Sequence, residues 1–197
     1  MQIDTILRRL YTLAVVTGWI LLAVILFYLA RPRADWETIT HEQYGFSFEY
    51  PTEWRARKYG EDISYHGDEE LKVLLSLPWN DYASIEIRVV PMNNPTLDKA
   101  IRWGEQRIAR INRLLVSRGD EPITELYWRQ EELNGQIIAR RRYQGYNVKT
   151  GEVYLTEDVY LVRAGDIIVF MLHSRESSFE YFTDEFERIV SSFSTVE

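Results

Sequence analysis

Between Gly60 and Glu70 the sequence reads GEDISYHGDEE. The carboxylates of Asp62, Asp68, Glu69 and Glu70, with the imidazole of His66, form a donor set that a divalent cation could use. Glu61 adds another carboxylate. The spacing does not reproduce the ordered D-x-D-x-D-G-x5-E loop, so a solvated acidic turn is the favoured reading of this stretch. The other histidines, His41 and His173, are distant in sequence, and neither a G-x-S-x-G elbow nor an H-E-x-x-H pair accompanies them. His173 falls in an apolar run and reads as a packed or hydrogen-bonded side chain. The chain has no cysteine, which removes disulfides, thiolate nucleophiles and cysteine-based zinc sites together. No complete catalytic set is legible, and the expectation is a protein that is not an enzyme and needs no cofactor beyond that candidate cation.

A second group of residues points to recognition. Arg140, Arg141 and Arg142 are followed by Tyr143 and Tyr146, and Tyr127, Trp128 and Arg129 lie shortly before them. Arg140, Arg142 and Tyr143 could thus belong to a basic, aromatic docking face for an acidic partner or lipid head groups. The competing reading pairs the arginines with Glu131 and Glu132 on a neighbouring strand. Trp79 and Tyr82 flank a turn beside Pro78 and form a second candidate docking pair.

These residues need a scaffold, and the hydrophobic pattern supplies one. Phe46, Phe48 and Tyr50 alternate with polar residues up to Pro51, which ends a strand. Residues 54–59 return as a second strand. LKVLLSL (71–77) and SIEIRVV (84–90) are two more. Asn94-Pro95-Thr96 then opens a long helix whose apolar stripe runs through Leu97, Ala100, Ile101, Gly104, Ile108, Ile111 and Leu115, with Arg107 placed off it and Gly119 as the stop. Strands at 123–132, 136–146, 153–163 and 166–174 follow, the first pair joined by Asn134-Gly135, as an antiparallel meander. Ser177-Ser178-Phe179-Glu180 offers a capping box into a final helix. The fold class is α+β: an antiparallel β-sheet flanked by helices.

Leu10 to Ala30 contains no charged residue. As a helix it would span ~31 Å, about the thickness of a bilayer's hydrocarbon core. It is too long for a signal-peptide core and lacks a small-x-small exit. The expected organisation is a tail (1–9), a transmembrane helix (10–30) that meets the lipid bilayer, a linker (31–40) and one domain (41–197). The flanking arginines nearly balance, and the short tail favours a cytoplasmic N-terminus. That places the domain on the extracytoplasmic side of the cell membrane. Residues 1–34 hold four arginines and one aspartate, leaving the remainder with 19 basic and 29 acidic residues, a net charge of −10. An acidic domain repels nucleic acid, which is not expected as a partner.

The order of elements resembles the PsbP/DcrB-like family, whose fold is shared with a yeast Ran-binding factor. The resemblance rests on Gly45-Phe46-Ser47-Phe48, Pro51 and Trp54 near the start, and on Phe186, Ile189, Ser192 and Phe193 near the end. It implies an α/β/α sandwich and no conserved chemistry. It also implies an accessory role on the outer side of an energy-transducing or envelope membrane, with an integral membrane complex (photosynthetic or respiratory) as partner. The rival function is a small-ligand or divalent-metal module of the cell envelope.

Overall fold

A computed structural model of the chain describes residues 35–59, 70–78 and 80–196, with Thr17 and Trp19 helical in the preceding segment. The expected membrane helix (10–30) otherwise lies outside the described residues. Among the described residues no helix is long and apolar enough to cross a membrane. Residues 1–34 and 35–197 form two separate compact units, and the second carries the fold.

Among its described residues that unit has ten strands and two α-helices. The strands are β1 (Trp36–His41), β2 (Phe46–Pro51), β3 (Arg55–Lys58), β4 (Glu70–Leu77), β5 (Asn80–Pro91), β6 (Thr124–Leu133), β7 (Gln136–Asn147), β8 (Glu152–Arg163), β9 (Asp166–Arg175) and β10 (Ser194–Thr195). The helices are α1 (Leu97–Ser117) and α2 (Glu176–Ser191). Seven strands form one antiparallel sheet in the order β3-β4-β5-β9-β8-β7-β6, and β1-β2-β10 form a small second sheet. The β6–β9 meander follows from three short turns, and Asn134 and Gly135 both take the positive φ that a two-residue hairpin demands.

Burial on both faces of the large sheet explains its composition. On one face Val73, Leu75, Ile85, Ile87, Ile138, Val159, Ile168 and Phe170 pack beneath α2 and the small sheet, whose Phe46 and Phe48 are fully enclosed. Trp54 is wedged there too, edge-on to Phe182, with its indole N–H donated to Glu185 at 2.8 Å. On the other face Val90, Ala139, Tyr160, Ile167, Val169 and Met171 pack beneath Ala100 and Trp103 of α1. The layers are therefore helix, sheet, and helix with a small sheet.

Three details depart from the sequence reading. Residues 36–41, read as the end of the linker and the first residue of the domain, pair with β2 as β1. Arg107, read as lying off the apolar stripe, is buried against the sheet. And α2 does not use the Ser177 capping box: it starts at Glu176, one residue before that serine, and the Ser178 hydroxyl donates to the Arg175 carbonyl and shares a hydrogen bond with Ser174.

Candidate functional site

The C-terminal end of α1 does not close onto the sheet. It ends over an open cleft of about 660 Å³ lined by Ile111, Leu115, Ile123, Tyr146, Val148 and Tyr154, with Arg118, Asp120, Lys149 and His173 among its polar groups. Local structure holds each wall. Gly119, at φ +79, lets the chain leave α1, and Asp120 N–H donates back to the Leu115 carbonyl at 3.0 Å. The side-chain amide of Asn112 then clamps Ile123, donating to its carbonyl at 3.2 Å and accepting from its N–H at 2.7 Å. Opposite, the β7–β8 turn is tied by the Asn147 side chain, which accepts from the N–H groups of Lys149 and Thr150 at 3.0 and 3.3 Å.

The floor is aromatic and polar. Tyr154 and His173 stack in parallel at 5.1 Å, and His173 Nδ1 lies 2.8 Å from the Thr156 hydroxyl. Desolvation by the surrounding protein holds the imidazole below its ordinary pKa, and Glu86 pulls the other way. The open edge is apolar: Tyr146 and Val148 of the lining are exposed, Val148 by 53%. Large exposed apolar groups beside a concave surface are the mark of a contact site.

Beyond Thr156 on the same face of β8 lies a buried polar cluster. Asp158 is wholly enclosed and accepts from the Tyr160 hydroxyl at 2.8 Å and the Tyr143 hydroxyl at 3.2 Å, with the Arg107 guanidinium 3.7 Å away. Burial drives its carboxyl above the ordinary aspartate pKa, against the pull of Arg107 and the two hydroxyls. The same burial, with the neighbouring Asp158, raises both tyrosines. Helix α1 comes close at this point because residue 104 is glycine: a Cβ there would meet the Tyr160 hydroxyl at 2.5 Å.

The opposite face of β8 carries a second cluster. Glu157 accepts from Arg140 at 2.5 Å, Arg142 at 2.6 Å and the Tyr127 hydroxyl at 2.9 Å. Arg140 also reaches Glu131 and, through both Nη atoms, Glu187 of α2. Burial alone would raise the Glu157 pKa, but the two guanidiniums outweigh it and hold the carboxyl below its usual range. Arg142 lies over the Phe179 ring at 4.6 Å.

The residues singled out from the sequence are placed as follows. Arg140 and Tyr143 are buried on opposite faces of β7, and Arg142 is partly buried beside Arg140. They are tied into these two clusters rather than spread over one exposed face, because Glu157 and Asp158 sit opposite them on β8. Of the basic-aromatic set, Trp128 and Arg129 of β6 and Tyr146 of β7 remain exposed. Glu70 opens β4, where it pairs with Lys72 and accepts from the Tyr44 hydroxyl at 2.9 Å. The Lys72 ammonium holds its carboxyl below the usual range. Asp62, His66, Asp68, Glu69 and Trp79 lie outside the described residues, as does the side chain of Tyr82, whose backbone belongs to β5. His41 is buried, with Nε2 3.2 Å from the Tyr59 carbonyl. The cleft itself went unread. Its walls come from five separate segments. In sequence Tyr146 reads as part of the basic-aromatic group, Ile111 and Leu115 as helix stripe and His173 as a packed residue, and nothing there joins them.

Against solved structures, the described architecture matches the solution structure of cyanobacterial PsbP from Synechocystis sp. PCC 6803, at 18% identity over 84% of this chain and 95% of that one, with a TM-score of 0.61. The fold is PsbP-like. A crystal structure from Bacteroides thetaiotaomicron matches at 12% identity over 82% of this chain and 48% of that one, with a TM-score of 0.52. No protein-family model and no curated protein sequence matches the chain. A PsbP-like sheet accounts for the order of the elements and the two covered faces.

Proposed function

We propose that the protein is a non-catalytic accessory subunit of the cell membrane. Residues 10–30 hold it in the bilayer, and the domain, on the extracytoplasmic side, docks on a larger membrane complex that it stabilises or regulates. The observation that carries this reading is the cleft at the end of α1, a largely apolar hollow lined by Ile111, Leu115, Ile123 and Tyr154, with Tyr146 and Val148 exposed at its edge. A partner inserting an apolar side chain there would bury surface now open to water, worth ~25 cal/mol per Å². The PsbP-like fold and the uncharged stretch at 10–30 support the accessory role. A tether raises the local concentration of the partner, so a modest interface suffices.

The test is affinity isolation of the tagged full chain from native membrane, beside a Val148→Glu variant. Val148 is exposed in a turn, so the change leaves the fold intact. Stoichiometric membrane subunits that are retained by the parent and lost by the variant support the reading. Isolation of both proteins alone contradicts it.

A second reading has its own observation. The cleft volume lies within the range of small-molecule sites, and the Tyr154–His173 stack could hold a flat or apolar ligand. Under that reading a ligand raises the melting temperature of the parent and shifts the His173 imidazole resonances, and no partner is recovered.

A further inference from the structure

We infer that two copies of this chain pair edge to edge through β6, in one register centred on Gln130. Among the described residues, β6 ends the seven-stranded sheet and nothing pairs with its outer edge. It is ten residues long, against four for β3 at the other end of the sheet. An open edge of that length is a template for another strand unless its side chains forbid it.

The side chains of β6 forbid most registers and favour one. Arg129-Gln130-Glu131 is its own charge complement when read antiparallel about Gln130. In that register Arg129 of each copy faces Glu131 of the other, Gln130 faces Gln130, Tyr127 faces Leu133 and Trp128 faces Glu132. Centring on Arg129 sets two arginines opposite each other, and centring on Glu131 sets two glutamates. Centring on Trp128 gives no ion pair. The β-bulge at Glu125–Tyr127 breaks regular pairing on the N-terminal side, so the usable edge is 127–133, symmetric about residue 130. Charges on an edge usually guard against indiscriminate pairing; here they also select a partner.

Apolar surface points the same way. Trp128 and Ile137 are exposed by 46% and 58%. Ile137 of β7 is the in-register neighbour of Glu132. In the paired sheet Trp128 of one copy therefore stands in the same cross-strand row as Glu132 and Ile137 of the other. Each tryptophan gains the glutamate stem and the isoleucine as cover. Within one chain, Arg129 lies 3.0 Å from one carboxylate oxygen of Glu131 while the other accepts from Arg140. Arg129 stays more than half exposed, so it can turn outward to the Glu131 of a second copy, whose carboxylate Arg140 holds in place. This inference stands apart from the docking reading, because β6 lines no part of the cleft.

The absence of cysteine makes the register directly measurable. Residues opposite each other in an antiparallel pair have Cα atoms ~4.5–5.5 Å apart, within disulfide reach. The two Trp128 positions would be ~13 Å apart, beyond it. Single-cysteine full chains, Gln130→Cys and Trp128→Cys, are oxidised in the cell fraction that contains the protein, with Arg113→Cys on α1 as an exposed control. The inference expects a covalent dimer from Gln130→Cys and only control-level dimer from Trp128→Cys. Adding Arg129→Glu replaces two attractions by two repulsions and lowers dimer yield at residue 130 by about tenfold or more, whereas Arg129→Lys retains it. Equal crosslinking at 128 and 130, control-level crosslinking at both, or indifference to Arg129→Glu overturns the inference.

Discussion

Gly104 and Tyr160 show how a single atom positions α1. A methyl group at residue 104 would collide with a hydroxyl that is fixed by Asp158 and backed by Trp103, edge-on at 6.3 Å. Gly104→Ala therefore destabilises the domain by about 1–3 kcal/mol in urea denaturation, although alanine is the better helix former. The neighbouring carboxylates Glu157 and Asp158 respond to acid in opposite senses. Glu157 has a folded pKa below its unfolded value of about 4.5, so its contribution is present above that pH and is lost as the pH falls through the folded pKa. Asp158 has a folded pKa above its ordinary 3.8, so stability declines as the pH rises from there through the folded value. Asp158→Asn should thus gain stability relative to the parent as the pH is raised from about 3.8, as read by urea titrations at several pH values. Glu157→Ala should cost about 1–3 kcal/mol at neutral pH, because it removes the carboxylate shared by Arg140 and Arg142 and leaves them on Glu131, Glu187 and Glu180 alone. Part of this was legible in sequence: TEDVY reads as a strand whose adjacent acids face opposite ways, a sheet flanked by helices covers both faces, and Glu131 was the competing partner for the arginines. Which side chains enclose Glu157 and Asp158 shows only in the assembled sheet.

At the scale of elements, period and turn chemistry fixed most boundaries. Strands β6 to β9 lie within one residue of their expected limits, and Thr96 caps α1 by accepting from Lys99 N–H. The misreadings have local causes. β1 carries only two buried side chains, Ile39 and His41, and owes its form to pairing with β2, a long-range effect that periodicity cannot show. The capping box at Ser177 matched a pattern, but the serine hydroxyls nearby found other partners. Arg107 was placed off the buried stripe because its burial depends on Tyr143 and Asp158, remote strand residues that solvate it. The wall of the cleft tests the packing at this scale. Asn112→Ala removes both hydrogen bonds to Ile123 and should cost about 1–2 kcal/mol. Amide exchange at Ile123 should accelerate in that variant, while exchange in β8 and β9 stays slow.

For the whole molecule, the arrangement separates stability from recognition. The charged groups on the two faces of β8 are tied to one another beneath the helices, and open apolar surface gathers where α1 ends. Under the docking proposal, that division gives a rigid sheet with a hollow open to a partner. The sequence revealed the sheet, the helices and the candidate anchor through patterns within short stretches. It concealed the hollow, which exists only where segments far apart in the chain meet. The most direct test of the docking account is isolation of the tagged full chain from native membrane, compared with Val148→Glu by quantitative mass spectrometry. The account predicts a defined set of membrane subunits with the parent and their loss with the variant, both proteins being equally folded and abundant. Recovery of the parent with no stoichiometric companion would contradict it.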